Sequence, residues 1–321
     1  MGLQLTGRWV WDFWLVREQG LWHVFYLHAP QTPDDPDKRH FSARIGHATS
    51  VDLRSWVVVP DALGPGPAGS WDDMATWTGS VVAHPDGGWV MLYTGVCSSE
   101  QGLVQRIGMA RSHDLQTWLK HPDNPVIEAD ARWYEMLDTD IWFDQAWRDP
   151  WVVQDPERKL FHAFITARMS SGDPGQRGVI GRATSPDLIN WDVGPPILVP
   201  EGFGYMEVPQ VFAAGGHWHL LFSAPAWAQA VRPQPHCTGT FHAVSDVLEG
   251  PYRERAPVLC DTVGSSYGGK IVETRTGSVF LAFRNLDGSG GFVGGIADPT
   301  PVDIAADGAI TLVESHPNSR S

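Results

Sequence analysis

The chain has 321 residues, with 37 acidic against 23 basic side chains and a formal charge of −14; it shows no basic stripe and no apolar run of membrane-spanning length. That balance argues against nucleic acid and anionic membranes as partners and leaves a small neutral ligand as the expected one. No Pro/Gly/Ser linker separates two cores, so one domain over residues 1–321 is expected.

Taken in chain order, the first predicted strand is Trp11–Val16, with Asp12 among aromatic residues. An aromatic-rich apolar run follows at Gly20–His28, then the alternating stretch Ile45–Trp56, whose S-x-D-L reads as a turn and whose last Trp reads as an anchor. The Pro- and Gly-rich segments Asp34–Asp37 and Gly64–Gly69 lie between strand signals and read as loops. The same order then returns. Predicted first strands stand at Trp77–Ala83, Trp147–Val153, Met206–Phe212 and Tyr267–Val272. Aromatic runs stand at Gly87–Gly95, Lys159–Ala167, Gly216–Ala224 and Gly277–Asn285, with starts 57 to 72 residues apart. The I-G-x-A-x-S-x-D-L-x-x-W stretch returns at Ile107–Trp118 and Ile180–Trp191 and, degenerate, at Phe241–Tyr252. Short strands behind prolines are predicted at Asn124–Ile127, Pro196–Val199 and Pro257–Cys260, and Ala309–Glu314 supplies a last outer strand before a polar tail.

Four strands in each of five units, without helical periodicity, predict an all-β fold: a five-bladed β-propeller of four-stranded antiparallel blades around a central channel. The first strand of each blade then walls the channel. Cys97, Cys237 and Cys260 are odd in number and lack a C-x-x-C pairing, so they read as buried free thiols. With no signal-peptide pattern after Met1, a cytoplasmic location is expected.

Three predicted walls carry an acid near their start: Asp12, Asp149 and Glu207. Charges are disfavoured inside strands and rarely buried alone. Carboxyl groups sharing one channel push their pKa values apart, which separates an acid from a carboxylate at one pH. Local pairing with Arg148 or Arg8 explains any one of them, but three at equivalent positions of a repeat point to catalysis. No phosphate loop, nucleophile elbow or zinc signature is present, and no cofactor or metal is expected.

The ordered landmarks resemble glycoside hydrolase families 32 and 68, the β-fructofuranosidases, fructan hydrolases and fructosyltransferases. The resemblance rests on Asp12 in the first strand, His23–Pro30 (HVFYLHAP), Gly46–Trp56, Trp77–Ser80 (WTGS), R-D-P at Arg148–Pro150 and Glu207–Gln210 (EVPQ). It implies a retaining hydrolase or transferase acting on β-fructofuranosides such as sucrose or fructo-oligosaccharides. Asp12 would be the nucleophile, Glu207 the acid/base, and Asp149 the stabiliser of the transition state. Trp11, Trp14, Trp77, Ser80, Arg148 and Tyr267 would contact the sugar. That division asks for a raised Glu207 pKa and a low Asp12 pKa. The opening W-D-F-W lacks both asparagines and the turn glycine of family 32 and is closer to the V-W-D-S-W of family 68. No C-terminal β-sandwich is expected after the propeller.

Two other readings of the acids stand beside this one: an inverting hydrolase like the arabinofuranosidase and xylosidase propellers, and a carbohydrate-binding propeller without catalysis. Glu135, Asp138 and Asp140 read as a solvated acidic loop. His217 and His219 share one strand face at period two, but without a third ligand they read, like His236 and His242, as packing or surface residues rather than a metal site.

Overall fold

The structure is a computed structural model and describes residues 2–32, 34–197, 199–229 and 234–313. Blade one holds β1 (Arg8–Glu18), β2 (Leu21–Pro30), β3 (Arg44–Ser50) and β4 (Val57–Leu63); blade two holds β5 (Ala75–Ala83), β6 (Trp89–Val96), β7 (Arg106–Ser112) and β8 (Leu119–Lys120). Blade three is β9 (Trp147–Gln154), β10 (Phe161–Arg168), β11 (Gly178–Ser185) and β12 (Asp192–Gly194). Blade four is β13 (Glu207–Ala214), β14 (His217–Ala224), β15 (Thr238–Ser245) and β16 (Arg253–Glu254), with β17 (Leu259–Asp261) also on β15; blade five is β18 (Ser266–Thr274), β19 (Gly277–Arg284), β20 (Thr300–Ile304) and β21 (Ile310–Leu312). Each blade is an antiparallel meander, and β1, β5, β9, β13 and β18 neighbour one another in a ring. The five-bladed propeller is the fold.

The repeat explains its own turns. In S-x-D-L, Ser50 Oγ accepts the Leu53 amide at 2.8 Å, and Asp52 Oδ1 accepts those of Arg54 and Ser55 at 2.8 and 2.7 Å. These backbone donors hold Asp52 down at about 2, as they do Asp114 and Asp187 in blades two and three. The closing tryptophans Trp118 and Trp191 donate to the carbonyls of Leu115 and Leu188. They are anchors, as their place in the repeat requires.

The outer strands differ from expectation. Each predicted proline-led strand is the second half of an edge that pairs earlier as β8, β12 or β16 and then turns away before Ile127, Ile197 and Val258 rejoin the same neighbour through amide bonds to Ile107, Ile180 and Thr240. An edge strand tolerates such a break because only one side is paired. Residue 198 of Pro196–Val199 and Glu314 of Ala309–Glu314 lie outside the described residues.

The thiol expectation is corrected. Cys237 and Cys260 form a disulfide across the start of β15 and β17, and Cys97 is the free, buried thiol. Two of the three cysteines are therefore not free thiols.

Candidate active site

Every inner strand breaks register with its neighbour at the same place: at Asp12 in β1, Thr78 in β5, Asp149–Pro150 in β9, Val208–Pro209 in β13 and Gly268–Gly269 in β18. These are β-bulges, which turn side chains toward a site. Four of the five bulges carry a residue with positive φ: Asp12 at 20°, Asp149 at 56°, Val208 at 51° and Gly268 at 63°. Only Gly268 takes that conformation without strain, and the three others store about 1–3 kcal/mol each at the channel wall. A side chain at Gly268 would also come within 3.3 Å of Asp12 Oδ1.

The bulges correct the assumption of equivalence. Asp12 and Asp149 occupy the bulge itself, while Glu207 stands one residue earlier, in register with Trp11, Trp77, Arg148 and Tyr267. Two rings of side chains result. In the upper ring, Arg148 Nη2 donates to Glu207 Oε1 and Tyr267 Oη donates to Glu207 Oε2, each at 2.6 Å. On the opposite arc Trp11 and Trp77 each meet the ring of His40 edge-on, at 5.6 and 6.2 Å. In the lower ring, Thr78 Oγ1 donates to Asp12 Oδ2 at 2.7 Å, and Thr166 Oγ1 donates to Asp149 Oδ2 at 2.9 Å.

Burial and the neighbouring Asp149 push the Asp12 carboxyl well above its ordinary range, against the hydrogen bond from Thr78. Asp149 is pushed up too, by burial first, with the Arg148 charge opposing. The expectation of a low Asp12 pKa is therefore corrected: two acids share one partly desolvated wall. Beside them, Lys270 donates to the Val208 carbonyl at 2.7 Å and is itself pushed down by burial, with Asp12 and Asp149 resisting.

Hydroxyl groups fix the lower ring between blades. Thr94 accepts the Asp149 amide at 2.9 Å, Thr166 the Val208 amide at 3.2 Å and Ser223 the Gly268 amide at 3.0 Å. Each hydroxyl stands on the second strand of one blade and holds the bulge of the next.

Of the predicted sugar contacts, Trp11, Trp77, Arg148 and Tyr267 gather in the upper ring with Glu207. Ser80 instead accepts the Val152 amide at 3.1 Å, a joint between blades, and Trp14 is fully buried, stacked at 6.1 Å on Phe25. His219 and His242 bond to each other at 3.0 Å within blade four. Glu135 is not solvated: it is buried and paired with Arg168 at 3.2 Å and Arg177 at 3.0 Å, whereas Asp138 and Asp140 are exposed. Sequence reasoning missed three cationic or polar neighbours. Lys270 carried a readable signal, a lone charge in an apolar inner strand. Arg39 and His40 did not, because they reach the channel on a 3-10 segment, Pro36–Ser42, inserted between β2 and β3. There Arg39 packs over Phe292 at 3.9 Å and feels the Asp12 charge, and the half-buried His40 is held neutral by desolvation and by the nearby Arg39 and Arg148 charges.

Residues 14–277 match the family described as "Glycosyl hydrolases family 32 N-terminal domain". The chain belongs to that family. Among curated relatives, a fructan 6-exohydrolase of Beta vulgaris is 28% identical over 201 residues, 60% of this chain and 30% of its own length. The beta-fructofuranosidase CWINV1 of Arabidopsis thaliana is 30% identical over 203 residues, again 60% of this chain and 30% of the relative. The matched stretch is thus under a third of those relatives. In fold, an inulosucrase from Halalkalicoccus jeotgali bound to kestose superposes with a TM-score of 0.77 at 21% identity, covering 98% of this chain and 92% of that one. The levansucrase of Bacillus subtilis gives 0.75 at 16% identity over 96% and 87%. The family match begins two residues after Asp12, at the strand where the sequence departs from the family 32 opening.

Proposed function

We propose that this chain is a retaining glycoside hydrolase or fructosyltransferase acting on β-fructofuranosides. The observation that carries the reading is the set of three carboxyl groups on β1, β9 and β13 that share one channel wall, with Arg148 and Tyr267 gripping Glu207 from either side. The family match and the relatives' activities on fructosides support the substrate class.

In this mechanism Asp12 attacks the anomeric carbon as the glycosidic bond breaks, and the proton of Glu207 passes to the departing oxygen. Glu207 then takes a proton from water or an acceptor hydroxyl, whose oxygen displaces Asp12 and restores the starting configuration. Asp149, fixed by Thr166 and the Val208 amide, accepts hydrogen bonds from sugar hydroxyls, which strengthen as positive charge builds on the ring. Arg148 completes the cradle. Because Asp12 attacks only when ionised, its raised pKa places the acid limb of activity above the ordinary carboxylate range.

The test is product analysis by NMR with sucrose, inulin, levan and aryl arabinofuranosides. Release or transfer of fructose with retained anomeric configuration is expected. Inversion, or activity confined to arabinofuranosides, would overturn the assignment.

A further inference from the structure

Between blades three and four, at the Arg148 side of the channel, four aromatic rings pack together. Trp142 and Phe143 stack at 5.3 Å, and Trp227 lies 6.1 Å from Trp142 and 6.3 Å from Phe143. Tyr205 beneath them meets Trp142, Phe143 and Trp227 edge-on at 5.1 to 5.6 Å. Tyr205 is buried, yet Phe143 is 54% exposed and Trp227 60%. Single exposed apolar residues are ordinary, but two adjacent exposed aromatic rings over a buried third form a built surface.

This surface is wired to the acid/base. Trp142 Nε1 donates to Tyr205 Oη at 2.7 Å, which donates to Asp144 Oδ1 at 2.8 Å. Asp144 Oδ2 accepts from Arg148 at 3.0 Å, and Arg148 holds Glu207. The Arg148 guanidinium also lies 4.8 Å from the Tyr205 ring. From below, the Arg168 guanidinium covers Trp142 at 3.4 Å.

Both supporting loops are tied down, that of Phe143 by the Trp142 amide donating to the Asp138 carbonyl and the Gln145 amide to the Leu103 carbonyl, each at 2.9 Å. The Trp227 turn, Ala226–Ala228, is held by Ala226 N to Thr238 Oγ1 at 2.8 Å, by Gly204 N to the Ala228 carbonyl at 2.7 Å and by Gln229, which donates to the Cys237 carbonyl at 2.6 Å. Cys237 is in turn locked to Cys260. Exposed rings held in place before a ligand arrives lose little entropy when one stacks on them.

We infer that Trp227 and Phe143, backed by Trp142, form a stacking platform for saccharide units on the leaving-group side of the scissile bond. The occupant is a sugar ring of the same substrate chain: flat apolar faces suit the C–H face of a sugar, and the platform continues from the residue that protonates the departing oxygen. This inference rests on the function proposed above.

The test uses the Glu207→Gln protein, which binds without turnover, alone and combined with Trp227→Ser or Phe143→Ser. Calorimetric titration with fructosyl oligosaccharides of two to five units should show affinity rising about tenfold with length, a gain near 1.4 kcal/mol. The rise should vanish in the two combined variants. Tryptophan emission of the Trp227 protein should shift on binding the longer sugars. Equal length dependence with and without Trp227 and Phe143 would overturn the platform alone. If no member of the series binds any of the proteins, the fructoside reading itself fails and the platform with it. Concentration-dependent dimerisation lost in Trp227→Ser would overturn the inference by making the patch a contact between copies.

Discussion

Asp12 carries opposing demands: the proposed mechanism needs it ionised, and its surroundings disfavour the charge. Its pKa in the folded protein lies above the unfolded value of 3.8, so the folded state holds the proton more tightly, and stability falls as pH rises from the unfolded pKa through the folded one. Asp12→Asn is therefore expected to lower kcat by orders of magnitude while raising the melting temperature at neutral pH, by about 2 °C or more per kcal/mol relieved, which calorimetry measures. Glu207→Gln should lose turnover similarly with the fold intact, and near-normal activity in either variant would sink the mechanism. Thr78→Val removes the 2.7 Å bond that favours ionised Asp12. Since hydrogen bonds to charged groups contribute about 1.5–3 kcal/mol, the acid limb of kcat/KM should move up by about one pH unit or more. At this scale the acids were legible as charges inside apolar strands, and Lys270 offered the same signal unread. Arg39, His40 and the pairing of Glu135 were not legible, because loop insertions place them beside residues far away in the chain.

Blades one and four contain a buried histidine pair at the same place: His23 with His47 and His219 with His242, each pair 3.0 Å apart. One ring must donate and the other accept, so the accepting ring must be neutral. Burial lowers all four, His47 to about 4 and His242 to about 3. Because the folded values lie below the unfolded 6.5, the unfolded chain takes up more protons, and stability present above about pH 6.5 is lost as pH falls toward 4. Blade two shows the alternative, with Val90 and Met109 in these positions. His23→Val with His47→Met should flatten the decline in melting temperature between pH 6.5 and 4; an unchanged slope would refute the role of the blade-one pair. The strands themselves were readable from period-two patterning and the aromatic runs. The bulges were not, since register belongs to two strands together, and this hid the one-residue offset of Glu207. Broken edge strands escaped for a related reason: each half is too short to show a period.

The propeller as a whole was legible from its repeat, while the disulfide was not, because Cys237 and Cys260 become neighbours only when β15 and β17 pair. The bond closes a loop of sequence separation 23, for which chain entropy gives about 3 kcal/mol. Reduction by dithiothreitol should lower the melting temperature measurably, and an unchanged value would show that blade four does not depend on it. The inter-blade hydroxyls have a further consequence, in time rather than in space. They tie blade two to three, three to four and four to five, but the corresponding positions that face blade one and blade two are Phe283 and Leu27. The blade that carries Asp12 is joined to its neighbours through other segments, such as Gly295 to Val10 and Thr76 to Ala43. Local openings should therefore begin there. In hydrogen exchange the bulge amides of Asp149, Val208 and Gly268 would exchange slowly and that of Asp12 faster, giving the proposed nucleophile the most mobile wall of the channel.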